Sequence, residues 1–403
     1  MALMVLRGSF RILFLYDVAE AIDLAKLREM LGPRGETIKE QFPRRTPDYI
    51  RFEQPPIVEP GEQMTLQTGE QVVCSIKYYA FAAVVVQMEV PFECDWKALL
   101  CHASRWVSPT DIEPQARDVV RRHLEKVMPA VVKPTKDWLE EDYLIINLQS
   151  ATPLTANILG QGGKADSSPT FADTATGIRN DKPSGEVERA SAEDLLSAHG
   201  QQIAQLVRGE STPLAARTTE EILHASESYY PSDLTVVGAS AAFVYDRPDD
   251  AAATSQILEY AKMQLLEFRY YDGLMTQVLS DVYAELEKSR NIFFSRWRFP
   301  RQAKPFNTIR LDVMELAERI DNAIKFVSDV HYARVYRLAA TRMGVDEYRN
   351  LVDEKLRTAG ELYDFMTDQF NEARSFVVEL GIAILALLDV ILLLKGFGGG
   401  FGK

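Results

Sequence analysis

The sequence is poor in the residues that support disulfide and metal chemistry, and it lacks an excess of positive charge. Only three cysteines and five histidines occur in 403 residues. So few cysteines, and an odd number of them, exclude a disulfide framework and indicate a reducing compartment. The 45 Lys and Arg residues stand against 58 Asp and Glu, a formal charge of −13. This balance disfavours general nucleic-acid binding. Residues 1–16 lack the apolar centre and cleavage site of a signal peptide.

The motifs of known catalytic and metal sites are also missing. Cys94, Cys101 and His102 lie close in sequence, with His123 further on. The spacing of the two cysteines does not match common zinc sites, and a fourth ligand is not evident. Residues 160–164 (GQGGK) superficially resemble a phosphate loop, but the required first Gly and the Ser or Thr after the Lys are absent. We therefore expect no catalytic residues, no cofactor and no metal, and a protein that is not an enzyme.

The C-terminal part of the sequence has a long, regular helical pattern. Apolar residues recur at alternating spacings of four and three along a predicted helix from residue 345 to about 394. This spacing keeps one stripe of an α-helix facing a partner helix. We predict that the chain forms homo-oligomers along this stripe, which we call the seam. The seam comprises Val352, Leu356, Ala359, Tyr363, Met366, Phe370, Ala373, Val377 and Leu380.

The longest apolar run, residues 376–394, has the length needed to cross a hydrocarbon core of ~30 Å. Glu379 and Asp389 interrupt it, and an acid near the bilayer centre costs roughly 2.5–3.5 kcal/mol. The many Leu, Ile, Val and Phe residues of the run each contribute roughly 0.3–0.6 kcal/mol towards insertion. We therefore predict a single-pass transmembrane helix, with both acids inside the membrane and the bulk of the chain in the cytoplasm. A helix buried in a soluble core is the alternative.

One stretch, residues 290–306, concentrates basic and aromatic side chains in an otherwise acidic protein. Anionic headgroups attract Lys and Arg, and aromatic rings favour the membrane interface. We predict that this stretch binds an anionic membrane surface. A solvated loop with packed aromatic rings and an RNA-binding segment are the alternatives. The residues predicted to contact lipid are Arg290, Phe293, Phe294, Arg296, Trp297, Arg298, Arg301 and Lys304.

The N-terminal part alternates apolar, β-branched runs with amphipathic runs. We predict strands at 9–16, 71–90 (with a break near 78–81), 143–148 and 234–245, and helices at 19–31, 95–107, 114–127, 191–207 and 218–226. The fold class is α+β, with an N-terminal α/β domain for which a split-βαβ topology is one option. The predicted domains are an α/β domain at 1–150, a flexible linker at 151–190, a segment at 191–250 that completes the N-terminal sheet, long antiparallel coiled-coil helices at 251–375, the transmembrane helix at 376–394 and a tail at 395–403.

Several short segments carry a resemblance to a known family. They are residues 77–88 (KYYAFAAVVVQM), 332–336 (YARVY), 355–356 (KL) and 361–363 (ELY), followed by Arg374 before the apolar run. In this order they resemble the family known as "required for meiotic nuclear division", which has bacterial members and mitochondrial relatives. The resemblance implies a membrane-anchored, non-catalytic protein, with mitochondrial relatives linked to organellar translation. It carries over no catalytic residues.

The sequence as a whole favours one function and leaves two alternatives open. The favoured function is a membrane-anchored scaffolding or binding protein that self-associates through its coiled coil. One alternative is a membrane-bound enzyme that uses a pocket in the N-terminal domain, which polar side chains with perturbed pKa values in a cleft would favour. The other is a soluble protein that assembles through its coiled coil.

Overall fold

A computed structural model describes residues 4–32, 35–37, 56–66, 69–153, 190–289 and 330–398. The chain divides into two compact units. The first contains residues 1–267 and 322–346, and the second contains residues 268–321 and 347–403. The described part of the first unit is a β-sheet with helices, and that of the second consists of long helices.

Nine strands form one sheet within the described residues of the first unit, in the order β2-β3-β4-β5-β1-β6-β9-β8-β7. The pair β6–β9 is parallel, and the other neighbouring pairs are antiparallel. The sheet is therefore mixed and largely antiparallel. The strands are β1 Met4–Ile22, β2 Glu36–Thr37, β3 Ile57–Thr65, β4 Gln71–Tyr78, β5 Ala83–Cys94, β6 Val131–Pro153, β7 Ser226–Glu227, β8 Leu234–Val237 and β9 Ala241–Tyr245.

The described helices begin and end at residues that suit helix termini. The side chains of Asp95 and Ser191 accept hydrogen bonds from backbone N–H groups in the first turns of α2 and α4. Gly344, with a φ of 86°, separates the last two helices. The helices are α1 Leu24–Leu31, α2 Trp96–Trp106, α3 Glu113–Val127, α4 Ala192–Arg208, α5 Ala216–Leu223, α6 Pro248–Ser289, α7 Val330–Met343 and α8 Val345–Gly398.

Both faces of the central strand β1 are buried. Phe10, Ile12 and Phe14 belong to the main hydrophobic core, together with α2, α3 and α4. Leu13 and Leu15 point to the opposite face, because side chains alternate along a strand, and both are fully buried. Other elements therefore pack on both faces of the sheet. This explains why its central strands are almost continuous apolar runs in the sequence.

Two buried ion pairs link α6 to the sheet. Lys77 Nζ on β4 lies 2.5 Å from Glu259 Oε2, and the Tyr79 hydroxyl donates to Glu259 Oε1 at 2.8 Å. Lys262 Nζ lies 2.6 Å from Glu141 Oε2 on β6. Burial lowers the pKa of Lys262 to about 8. Removing one partner of either pair would leave the other charge buried and unpaired, which is strongly destabilising.

The strand and helix predictions of the first unit agree largely with the structure. The predicted break near 78–81 is the turn between β4 and β5, where Ala82 has a φ of 67°. Two predictions were wrong in detail. Residues 234–245 form two strands, β8 and β9, and residues 19–22 continue β1. β9 does return to the N-terminal sheet, where it pairs with β6. Apart from its first three residues and its last, the predicted linker 151–190 lies outside the described residues.

The predicted transmembrane helix is corrected by the structure. Across the described ranges, no helix combines the length and the apolar character that a membrane crossing requires. The prediction at 376–394 was therefore wrong, and so were the fold class that included it, the single-pass location and the intramembrane positions of Glu379 and Asp389. The stretch belongs to the continuous 54-residue helix α8. The free-energy cost of placing its two acids in hydrocarbon opposes insertion of this stretch.

Candidate functional site

A pocket lies between strands β3 and β4 and helix α3, with a volume of about 590 Å³. Pockets of this size commonly hold small molecules. Its lining combines an apolar floor with charged groups of both signs. The lining residues are Glu59, Pro60, Glu62, Met64, Cys74, Ile76, Val119, Arg122, His123, Glu125 and Lys126.

Regular secondary structure places these side chains. On the sheet side, Glu59 pairs with Ile76 and Glu62 pairs with Cys74, with a register shift between the two pairs. Such a shift bends a strand and redirects its side chains. On the helix side, Val119, His123 and Lys126 follow the spacing that puts residues on one face of a helix. The pocket is therefore built on strands and a helix.

The most organised feature of the pocket is a hydrogen-bonded group centred on Glu59. His123 Nδ1 lies 2.9 Å from Glu59 Oε2, and only 13% and 14% of the two side chains are exposed. The Tyr78 hydroxyl donates to the same oxygen at 3.3 Å. The hydrogen bond from His123 lowers the pKa of Glu59, so this carboxyl group is ionised at neutral pH.

An ionised Glu59 determines the protonation of the histidine ring. A carboxylate can only accept hydrogen bonds, so His123 Nδ1 carries the proton and donates it to Glu59. In the neutral ring, Nε2 is then an acceptor with a free lone pair. This is the arrangement in which a carboxylate orients a histidine as a general base. Because His123 lines the pocket, a bound molecule can reach this side chain.

The buried thiol and phenol groups of the site stay protonated at neutral pH. Burial raises the pKa of the Cys74 thiol to about 11, so the thiol stays protonated and unreactive at neutral pH. Burial, together with the charge of Glu59, raises the pKa of Tyr78, which remains a hydrogen-bond donor. The chemistry for which this hydrogen-bonded group is arranged is proton transfer by the histidine ring.

The residues predicted from sequence to be metal-ligand candidates do not form a site with His123. Cys94 is half-buried at the end of β5, whereas Cys101 and His102 are exposed on α2. His123 lies on α3. In the part of the chain that the structure describes, no group of three or more His, Cys, Asp or Glu residues could hold a metal ion.

The remaining predicted site residues are only partly described. All eight residues of the predicted membrane-surface site, from Arg290 to Lys304, lie outside the described residues. In the seam, Val352 and Ala359 are buried and Leu356 is half-buried. The other six seam side chains, from Tyr363 to Leu380, are outside the described set.

A family comparison covers the pocket. The family described as "Uncharacterized protein MJ0711, N-terminal domain" matches residues 7–165 and 184–251, which is more than half of the chain. The chain belongs to this family. The MJ0711 domain thus corresponds to most of the sheet and its helices, and it includes Glu59, Tyr78 and His123. No curated protein and no solved structure matches the chain.

Membership of the MJ0711 family adds no activity, because the family's description names none. Nothing in these comparisons bears on the resemblance to the meiotic nuclear division family, which stays a prediction. The functional residues of the MJ0711 domain therefore have to be inferred from its geometry.

Sequence reasoning missed the pocket. His123 was considered only as a metal ligand, and Glu59 lies in a segment that reads as a Pro-rich connection, with Pro55, Pro56 and Pro60 nearby. The acidic partner and the histidine are 64 residues apart. The only local signal is the face of α3 on which His123 and Lys126 follow apolar Val119.

Proposed function

We propose that the MJ0711 domain of this chain is a small-molecule enzyme that uses His123 as a general base. The single observation that supports this most is the contact between Glu59 and His123 in a formed pocket. In this function Glu59 holds the ring, Tyr78 holds Glu59, and His123 Nε2 accepts a proton from a bound hydroxyl group, ammonium group or water molecule.

The charges of the pocket indicate the class of ligand. Arg122 and Lys126 contribute positive groups from one face of α3. Glu62 and Glu125 contribute negative groups from β3 and from the neighbouring face of α3. A ligand with charges of both signs can pair with both sets, whereas an anion or a cation alone meets one repulsive set. We therefore propose a zwitterionic small molecule, with the chemistry of an amino acid, as the substrate class.

The sequence favoured a membrane-anchored scaffold that is not an enzyme, and this proposal differs from both parts of that expectation. The membrane-anchored scaffold depends on a transmembrane helix that is not among the described residues. The expectation of a non-catalytic protein rested on the absence of a sequence motif. The polar groups with perturbed pKa values in a cleft are the feature that favours an enzyme with a pocket in the N-terminal domain.

Ligand-induced stabilisation of the full chain tests this proposal. We expect zwitterionic amino acids and their derivatives, screened beside neutral sugars and simple dicarboxylates, to include a compound that raises the melting temperature. At a concentration of about 100 Kd the expected rise is roughly 3–5 °C. The His123→Gln variant should lose turnover of that compound, followed by mass spectrometry. The Glu59→Gln variant should reduce turnover, because Glu59 positions the ring.

The matched control is His102→Gln, which changes an exposed histidine on α2, outside the pocket. This variant should keep both binding and turnover. Equal turnover by the His123→Gln variant would show that His123 is not the base. A ligand that binds but is never converted, by the unmodified chain as well, would reduce the function to binding alone.

A further inference from the structure

Residues 384–391 of α8 expose a patch of large apolar side chains. Ile384, Leu387 and Ile391 are 50%, 62% and 43% exposed, and Leu388 beside them is 49% exposed. Soluble proteins seldom leave so much contiguous apolar surface uncovered unless another molecule binds to it.

This patch continues the seam. Four residues after Leu380 comes Ile384, three later Leu387, and four later Ile391, so the alternation of four and three is unbroken. At 3.6 residues per turn, Asp389 lies about 160° from Leu387, and Glu379 lies about 80° from it. The seam face of α8 is therefore apolar, with Asp389 on the far side and Glu379 beyond its edge.

The same seam is covered at its other end, within the second unit. Val352 and Ala359 are 0% and 5% exposed. Helix α6 lies beside this part, since Lys355 Nζ is 2.5 Å from Asp272 Oδ1 and 2.6 Å from Thr276 Oγ1. The seam is thus buried where α6 packs along it and exposed further on. The exposed part has the spacing that packs against another helix.

The described part of α6 does not extend along α8 as far as the patch. The Arg269 guanidinium lies over the Tyr348 ring, and Thr276 lies beside Lys355, so both pairs show an offset of 79 residues between parallel helices. At this offset Ser289, the last described residue of α6, is level with about residue 368. The described part of α6 therefore ends about four turns before Ile384.

We infer that two copies of this chain pair through the seam face of α8 around Ile384, Leu387 and Ile391. Such pairing covers the four exposed apolar side chains of this face, Ile384, Leu387, Leu388 and Ile391, whereas Leu385, about 160° from Leu387, stays outside it. The self-complementary 4-3 spacing favours another α8 helix over an unrelated partner.

The test compares Leu387→Asp with Ile382→Asp in the full chain. Both residues are 62% exposed in the single chain, so neither substitution disturbs a protomer core, but only Leu387 lies on the seam face. Sedimentation equilibrium of the unmodified chain should give a mass that approaches twice 45.5 kDa as the concentration rises. Leu387→Asp should weaken association at least about 100-fold, because it would bury an unpaired charge, and Ile382→Asp should change it little.

Three results would overturn the inference. The first is a mass of 45.5 kDa for the unmodified chain at every concentration. The second is an equal effect of the two substitutions, which would indicate non-specific apolar contact in place of the seam. The third is association that occurs only when phosphatidylcholine vesicles are added, which would show that lipid, and not a second α8, covers the patch. Circular dichroism of each variant confirms that the helices remain folded.

Discussion

Replacing Glu259 with Ala should lower the free energy of unfolding of the first unit by about 3–5 kcal/mol. Glu259 on α6 is 3% exposed in its side chain and pairs with Lys77, whose side chain is 11% exposed. It also accepts the hydrogen bond of the Tyr79 hydroxyl. The substitution leaves a buried ammonium group and a buried hydroxyl group without this partner. Urea unfolding followed by circular dichroism measures the loss.

Two further variants test whether the effect arises from burial of an unpaired charge. Glu93→Ala breaks the Arg7–Glu93 pair, whose side chains are 58% and 59% exposed, and should change stability by less than about 1 kcal/mol. The double variant Lys77→Met and Glu259→Leu removes both charges and should recover most of the stability, because apolar side chains can replace a buried ion pair. Failure of the double variant to recover stability would assign the effect to packing.

Replacing Gly8 with Ala should destabilise the first unit by about 3 kcal/mol or more. A Cβ atom at residue 8 would lie 1.9 Å from the backbone oxygen of Asn147 and 2.7 Å from Phe92 Cζ. Asn147 belongs to β6, the neighbour of β1 at the centre of the sheet, so its carbonyl group cannot move without disturbing the ladder. The register of β1 on β6 also shifts between Arg7 and Gly8. Only a residue without a side chain fits there.

The matched control for Gly8 is Gly273→Ala on α6. No heavy atom lies within 4 Å of a Cβ added at Gly273. Because Ala is the better helix former, this substitution should stabilise the helix by about 1 kcal/mol. The two variants add the same methyl group, so opposite changes in the urea midpoint would isolate the steric effect. A mild effect of Gly8→Ala would mean that β1 and β6 are further apart than described.

Local sequence patterns predicted the elements of the fold well. The apolar run at 9–16 and the capped helix after Asp95 are visible because their signals lie within one element. The order of the strands could not be predicted, because pairing depends on contacts between distant segments. β1 pairs with both β5 and β6, and the latter begins at Val131.

The candidate site could not be predicted either, because it also depends on contacts between distant segments. Glu59 and His123 come from β3 and α3, and neither has a neighbour in sequence that marks it as functional. The C-terminal apolar run had the opposite effect: its composition is typical of a membrane span, and the sequence therefore predicted a transmembrane helix that the structure does not support. Composition alone does not separate an apolar helix face that binds a second helix from one that faces lipid, because both require the same residue types.

The protonation of the His123 ring is the most direct test of the proposed site. Long-range ¹H–¹⁵N correlation spectra of the full chain, labelled on its histidine rings, report which nitrogen carries the proton in the neutral ring. The His123→Gln variant assigns the signals. We expect the proton on Nδ1, held by Glu59, with Nε2 unprotonated and shifted when a zwitterionic ligand binds. A neutral ring protonated on Nε2 would contradict the account, since the nitrogen available to a substrate would then be a donor.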